Sequence, residues 1–285
     1  MEKDRRYFTL PRKMVAAMTS ESWERTPHSV FTQEADLQNL LAVLKNYNER
    51  SGEHITLNSA LLKLVPECLK AAPMMNGYMR YRRLLVSGRI TLFDHVDISV
   101  PVKFPGGMMI PVTLHGLEEK SMREIGAAMA DVMRRAGNTN MEEAMFDVSL
   151  HDTLDELKRF HLVKAIGRLI GALADRRHLR TLNAKERRAY RRIPESERLT
   201  RADLKQGTVT ISNLGSLYRE WKGACTMMEI VPPQLAAIGL GAVRDNLITL
   251  TIAFDHRGLD ADDVFPFIRK MDEILADTEK LQQLL

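Results

Sequence analysis

The chain has few cysteines, little net charge and no long apolar run. Only two of its 285 residues are cysteine, Cys68 and Cys225. They stand far apart and in no metal-ligand spacing, which argues against a metal site and for a reducing compartment. The 41 basic side chains are nearly offset by 37 acidic ones, leaving a formal charge of +4. So mild a balance does not suggest a dedicated nucleic-acid binder. No apolar stretch approaches the ~20 residues of a membrane span. The first residues, Met1 to Arg6, lead into no signal-peptide core. We therefore expect a cytoplasmic protein with no integral membrane segment, no nucleic-acid partner and no metal. Internal repeats and low-complexity tracts are also absent.

What is present is a large apolar share, 45% of residues, enough to bury a substantial core. The length fits one large domain or two small ones. Residues 11–24 read as a helix entered through Pro11, with Met14, Val15 and Met18 on one face. Ser29 to Gln33 reads as a strand. Leu37, Leu40, Leu41 and Leu44 recur at helical spacing within 36–50. Asn58 is placed to cap a helix over 59–71 that ends at Pro73. Residues 81–104 alternate as strands around Ser87–Gly88. Pro105–Gly107 is a turn, 108–114 a strand and 121–135 a helix.

The richest stretch is 248–260. A β-branched, apolar run from Ile248 to Phe254 reads as a buried strand. It ends in Asp255, His256 and Arg257, with Asp260 four positions beyond the histidine. Open α/β sheets tend to keep their chemistry at the carboxyl ends of strands. A histidine there can take a proton from a thiol or hydroxyl. Taken alone, the same string also reads as a charged turn after a strand.

Its neighbours extend the pattern. Thr208-Val209-Thr210-Ile211-Ser212-Asn213-Leu214-Gly215 lies upstream, followed by Val231-Pro232-Pro233-Gln234-Leu235-Ala236-Ala237-Ile238-Gly239. Earlier come Arg12-Lys13-Met14, Thr26-Pro27-His28, Thr56-Leu57-Asn58, Gly107 to Val112 and Lys120 to Ile125. In order and spacing these resemble the catalytic domain of the dihydrolipoamide acyltransferases, the core components of 2-oxo acid dehydrogenase complexes. Several collinear motifs are more specific than any one, and the likeness covers about 10–130 and 200–283. One departure falls in the histidine motif, where Ala261 replaces the family's glycine. Ala261-Asp262-Asp263 reads as the first turn of a helix, where alanine is harmless.

The resemblance implies a chloramphenicol acetyltransferase-like α/β two-layer sandwich, a mixed β-sheet covered by helices. It implies a single catalytic domain over 1–285, with no lipoyl domain and no peripheral subunit-binding domain. A helical, arginine-rich insertion stands at about 137–200. Within it Phe160, Val163, Ile166, Leu169, Ile170 and Leu173 form an apolar stripe, and Arg176 to Arg201 is dense in arginine. That segment reads as a solvated hairpin, an oligomer contact or a basic dock.

The resemblance also implies roles. His256 is the general base, since a neutral thiol is a poor nucleophile and must lose its proton. Ser212 donates to the oxyanion. Asp260 holds the histidine loop through a buried ion pair, with Arg12 as its arginine, or caps the helix that follows. Asn213 and Gly215 shape a turn, and Arg257 supports the loop. His95 and His28 read as structural. Met74, Met75, Met108, Met109, Met227 and Met228 read as core filler rather than a channel lining. Cys225 has no triad around it.

The implied reaction moves an acyl group between CoA and a dihydrolipoyl-type thiol, with the lipoyl group supplied in trans. CoA or acyl-CoA is then the substrate. The partners are a homotrimer or a multiple of trimers, lipoylated protein and dehydrogenase subunits. Each site would pair His256 of one chain with Ser212 of the next. Two alternatives stand beside this: a CoA acyltransferase acting on a small hydroxyl or amine, and a non-catalytic assembly scaffold. The last residues, Leu281 to Leu285, resemble the apolar tail that hooks family trimers together.

Overall fold

The computed structural model describes residues 7–104, 109–158, 182–218 and 220–285. The chain divides into two compact units. One unit holds residues 1–18 and 132–205, the other 19–131 and 206–285. Along the chain the elements are α1 (Leu10–Arg25), β1 (His28–Asp36), α2 (Gln38–Ser51), α3 (Leu57–Ala71), β2 (Gly77–Arg82) and β3 (Ser87–Leu92). Next come β4 (Ile98–Lys103), β5 (Met109–Leu114), α4 (Met122–Gly137), α5 (Met141–Lys158), α6 (Ala184–Arg191) and α7 (Arg201–Leu204). The last are β6 (Val209–Asn213), α8 (Leu214–Leu217), β7 (Ala236–Arg244), β8 (Leu247–Asp255), α9 (Ala261–Ala276) and α10 (Thr278–Gln283).

The larger unit is built on a six-stranded sheet in the order β1-β8-β7-β6-β4-β5. β6 runs parallel to β4 and β7, and the remaining pairs are antiparallel, so the sheet is mixed as expected. Strand alternation decides its two faces. Phe31, Ile252, Ile238 and Ile211 lie in one register row on the helix-covered face. Phe31 packs at a tilt against Phe254 and against Phe265 of α9, each at 5.2 Å between ring centroids. α9 also packs against α3, and α10 against α2. Full burial of each such apolar side chain contributes ~1.5–3 kcal/mol. The opposite face carries small residues: Val30, Ala253, Ala237 and Thr210 in one row, Thr32, Thr251, Gly239 and Ser212 in the next.

That second face is crossed by the irregular segment 223–231, which no periodicity announced. Gly223 O accepts from Ala242 N at 3.1 Å, and Cys225 O accepts from the Thr251 hydroxyl. Ile230 packs with Ala237 and Ala253. Met228 lies over Gly239, where an added Cβ would meet its sulfur at 2.5 Å. Of the methionines read as core, Met75 is fully buried, while Met227 is exposed.

Two sequence expectations shift. The cap of α3 is Thr56, whose hydroxyl accepts from Ser59 N at 3.1 Å, so Asn58 falls inside the first turn. The β2–β3 register pairs Arg82 with Ser87, so the turn is 83–86 and not Ser87–Gly88. Gly88 serves instead as a strand residue in close approach, where a Cβ would meet Arg80 O at 3.2 Å. Val86 takes the left-handed conformation at φ 44°, strained for a β-branched residue. At the chain end Leu281 is fully buried, and Leu284 O and Leu285 O accept from Met122 N and Arg123 N.

Pro101 and Pro111 face each other across β4 and β5. Neither has an N–H. β4 pairs with β6 only at Ile98 and Ser99, so Pro101 interrupts no ladder there.

The other unit contains the described parts of the stretch 137–200, all helices and turns. The stripe 160–173 lies outside the described residues. α6 is capped by Asn183, which accepts from Lys185 N and Glu186 N, while Glu186 reaches back to Asn183 N. Glu143 is buried and pairs with Arg187 at 2.7 Å. The strongest tie is a fork from Arg135 to Asp203, with both N–O distances 2.8 Å. Burial pushes the Asp203 carboxyl up, but the Arg135 fork and the Thr200 N–H and hydroxyl outweigh it, holding it below its ordinary value. A depressed carboxylate contributes stability above the ordinary carboxylate range, and loses it as pH falls through the lowered value. Arg135→Met strands that carboxylate and is expected to destabilise by ~2–4 kcal/mol near neutral pH. Urea unfolding of both proteins as pH is lowered checks this: the gap should narrow in acid as Asp203 takes a proton.

Candidate active site

β8 is held on one side by β1 and on the other by β7. The chain leaves it at Asp255 and turns tightly, with Gly258 N and Leu259 N both donating to Asp255 O. His256 N donates to Pro27 O at 3.1 Å, which fixes the loop to the start of β1. Leu259 is buried beneath it. Gly258 passes so close to Leu235 and Met79 that a Cβ would meet their side chains at 2.9 and 3.1 Å.

The imidazole of His256 is half-exposed. Its Nδ1 lies 3.0 Å from Leu259 O. A carbonyl oxygen only accepts, so in the neutral ring Nδ1 carries the hydrogen and Nε2 keeps the lone pair. Asp260 Oδ1 stands 3.3 Å from the same Nδ1. Phe254 meets the ring edge-on at 5.8 Å.

Asp260 does not form the expected buried ion pair in this chain. Its side chain is 81% exposed and faces the His256 ring. It occupies the N-cap of α9 in extended conformation, and its N–H donates to Asp263 at 2.9 Å. Ala261 is the first helical residue, so the missing glycine costs no strain. Arg12 lies exposed on α1, in the other unit. The buried carboxylate of the loop is Asp255, which sequence reasoning passed over. It is 3% exposed and takes a two-pronged ion pair from Arg257, Nη2–Oδ2 2.6 Å and Nε–Oδ1 2.9 Å. Arg257 in turn lies over the Tyr81 ring at 5.2 Å. The only sequence signal was an acid and an arginine flanking the histidine.

Ser212 sits at the end of β6, and its hydroxyl makes no hydrogen bond to another described residue. Asn213 next to it is buried and does shape the turn: its Oδ1 accepts from Ser216 N, and its Nδ2 donates to Asn58 Oδ1, both at 3.0 Å. Gly215 is required by packing, since a Cβ would lie 2.4 Å from Gly241 O. Beside them opens a cavity of about 680 Å³ lined by Asn58, Asn213, Trp221, Lys222 and Arg244 among others.

One chain does not bring His256 and Ser212 together. Ser212 pairs with Gly239, and Gly239 with Thr251. His256 is five residues past Thr251, ~17 Å along the strand and two strand spacings, ~10 Å, to the side. No thioester carbonyl touches both.

His28 is structural. Its Nδ1 meets Thr26 O at 2.7 Å, its Nε2 accepts from Ile230 N at 3.1 Å, and Trp23 stacks on it at 5.2 Å. His95 and His115 both face Asp97 Oδ2, at 3.8 and 2.8 Å. Burial pushes the Asp97 carboxyl up, yet the His115 contact and the Gly116 N–H hold it below its ordinary value. Cys68 is buried, which pushes its thiol well up and leaves it inert. Among the described residues, no group of three or more His, Cys, Asp or Glu is arranged to hold a metal. Among them too, no helix is long and apolar enough to cross a membrane.

Residues 2–149 and 172–283 match the family model for the 2-oxoacid dehydrogenases acyltransferase (catalytic domain). The chain belongs to this family. The stretch left unmatched, 150–171, falls inside the insertion read at 137–200. A curated relative, the dihydrolipoyllysine-residue acetyltransferase component of the acetoin cleaving system of Bacillus subtilis, is 21% identical over 287 residues. That match covers 95% of this chain and 54% of the relative. The chain spans at most about half the length of the first curated relatives it matches. Among solved structures, the dihydrolipoamide acetyltransferase of Azotobacter vinelandii superposes with TM-score 0.64 at 18% identity, covering 98% of this chain and 94% of that one. A truncated catalytic core of the 2-oxoacid dehydrogenase multienzyme complex from Thermoplasma acidophilum gives 0.63 at 18%, covering 97% and 99%. These superpositions establish the mixed α/β acyltransferase-core fold.

Proposed function

We propose that this chain transfers an acyl group between CoA and a dihydrolipoyl-type thiol brought by another protein, with His256 as general base. The observation that carries this is the hydrogen bond from His256 Nδ1 to Leu259 O, which leaves Nε2 as the basic nitrogen. The incoming thiol loses its proton to Nε2 as its sulfur attacks the thioester carbonyl. The C–S bond forms and the carbonyl oxygen becomes an oxyanion, to which the Ser212 hydroxyl donates. Collapse breaks the old C–S bond, and the imidazolium returns the proton to the departing thiolate. Asp260, 3.3 Å from Nδ1, favours the imidazolium while it exists. The Azotobacter relative is described through a serine, a histidine and, four positions past the histidine, an asparagine, the spacing of His256 and Asp260 here.

Because His256 and Ser212 are ~20 Å apart in one chain by strand geometry, the working site joins two copies. A homotrimer supplies three such seams. The family's relatives are cores of multienzyme complexes, which supports assembly with dehydrogenase subunits and lipoylated protein.

The test incubates the purified protein with acetyl-CoA and free dihydrolipoamide, then with a lipoylated domain. Acyl-lipoyl product is expected with both. Transfer to neither, with transfer to a small alcohol or amine, would replace this reading by that of a small-molecule acyltransferase. No transfer at all, with tight binding of dehydrogenase subunits, would leave a scaffold.

A further inference from the structure

Charge is divided unevenly along this chain. Residues 158–192 carry 12 basic and 2 acidic side chains, whereas the remainder carries 29 basic and 35 acidic. The near-neutral total therefore hides a strongly basic stretch on a chain that is otherwise negative. Such asymmetry points to a polyanionic partner. The family model leaves 150–171 unmatched, so part of this stretch lies outside what the shared acyltransferase fold requires.

The described end of the stretch is α6, with Arg192 at its C-cap. Its inner side is fixed. Tyr190 is buried with the Arg198 guanidinium 5.2 Å from its ring centre, and Arg187 reaches the buried Glu143 at 2.7 Å. At ~100° per residue, Lys185, Arg188 and Arg192 fall within ~60° of one another on the side away from Tyr190, with Arg191 a further ~60° round. All four cations are exposed, and none makes an ion pair or side-chain hydrogen bond with another described residue. The acids near them in sequence are engaged: Glu186 with Asn183 N, Glu195 with Arg198 and Glu197 with Arg134. Like charges three and four positions apart weaken a helix, so this face gains no stability from its own chain.

The class of polyanion follows from the sequence before α6. The apolar stripe from Phe160 to Leu173 is interrupted by Lys164 and Arg168 and bounded by Arg159 and Arg176. It is too short and too charged to span a bilayer. Bulky apolar positions framed by cations match the two layers of a lipid surface, anionic headgroups over acyl chains. A single-stranded nucleic-acid surface would offer aromatic rings for base stacking. The stretch 158–192 has only Phe160 and Tyr190, and Tyr190 is buried. We infer that the outward face of α6 docks on an anionic phospholipid surface, its cations meeting the headgroup phosphates. This goes beyond the acyl-transfer reading and does not depend on it.

The test is sedimentation of the whole protein with vesicles of pure phosphatidylcholine and of an equal mixture of phosphatidylcholine and phosphatidylglycerol. Wild type should bind the mixed vesicles and not the neutral ones, and added salt should weaken the binding. Each cation near an anionic surface adds about fivefold to partitioning, so Arg188→Gln/Arg192→Gln should lose ~25-fold. Arg188→Lys/Arg192→Lys should stay within about twofold of wild type, since a point charge serves a fluid surface as well as a fork does. Both positions are exposed and glutamine is a good helix former, so melting should be unchanged in either variant. Equal binding to both vesicles, or wild-type-like binding by the glutamine variant, overturns the assignment. A lysine variant as weak as the glutamine one does so too, because it would mean a discrete phosphate site. Absence of vesicle binding by the wild type also overturns it, and RNA binding in that case would make the face a nucleic-acid dock.

Discussion

His256→Ala is expected to lower acyl transfer from CoA to dihydrolipoamide by ~10²–10⁴-fold, the range of a lost general base. The loss should fall on kcat. CoA affinity should hold, because the ring contributes a proton acceptor to the chemical step. Folding should hold as well. The imidazole is half-exposed, and the loop is anchored through backbone bonds to Pro27 and Asp255 and through the Asp255–Arg257 pair. Stopped turnover with unchanged melting and unchanged CoA binding is therefore the expected signature. Wild-type-like turnover in this variant would sink the proposed chemistry.

The second large effect comes from mixing two dead proteins. Ser212→Ala alone should cost ~10²–10³-fold, as expected for one oxyanion donor. If each site takes its histidine from one copy and its hydroxyl from another, subunits of Ser212→Ala and His256→Ala can restore each other. Random reassembly of an equal mixture leaves about one site in four with both groups intact, so activity should climb to about a quarter of wild type. Refolding the two together and assaying transfer checks this. Activity in the mixture no higher than in either variant alone would mean that the site is not shared, and the ~20 Å same-chain gap would then need another explanation.

Much of this site was legible in the sequence, and the missing part has a physical cause. The β-branched run before Asp255, the acid-histidine-arginine string and the Ser212-Asn213 turn are local patterns, and the structure places each on the element expected. The Asn213–Asn58 bond was not legible, because it joins residues 155 positions apart. The weights of Asp255 and Asp260 were reversed for a related reason. Sequence shows two acids near one histidine, but burial decides which is structural. Strand parity sends Asp255 inward with His28, while Asp260 leaves the strand and caps a helix. The hairpin turn was misplaced because Ser87–Gly88 is the usual turn signal, whereas the chain turns at Arg83–Val86 and spends its glycine on a close strand approach. The course of 223–231 over the sheet leaves no periodic trace, since its contacts alternate between backbone and side chain.

The facing prolines of β4 and β5 carry a consequence for the behaviour of the protein at high density. An antiparallel pair that exchanged bonds would need an N–H from both residues, so Pro101 and Pro111 must occupy a site where the nitrogens point outward. The outer rim of β5 thus lacks one of the donors that an incoming strand would use. Chains crowded together would find no continuous template there for fibril growth. Pro111→Val would restore the missing donor, and with it a route to precipitation.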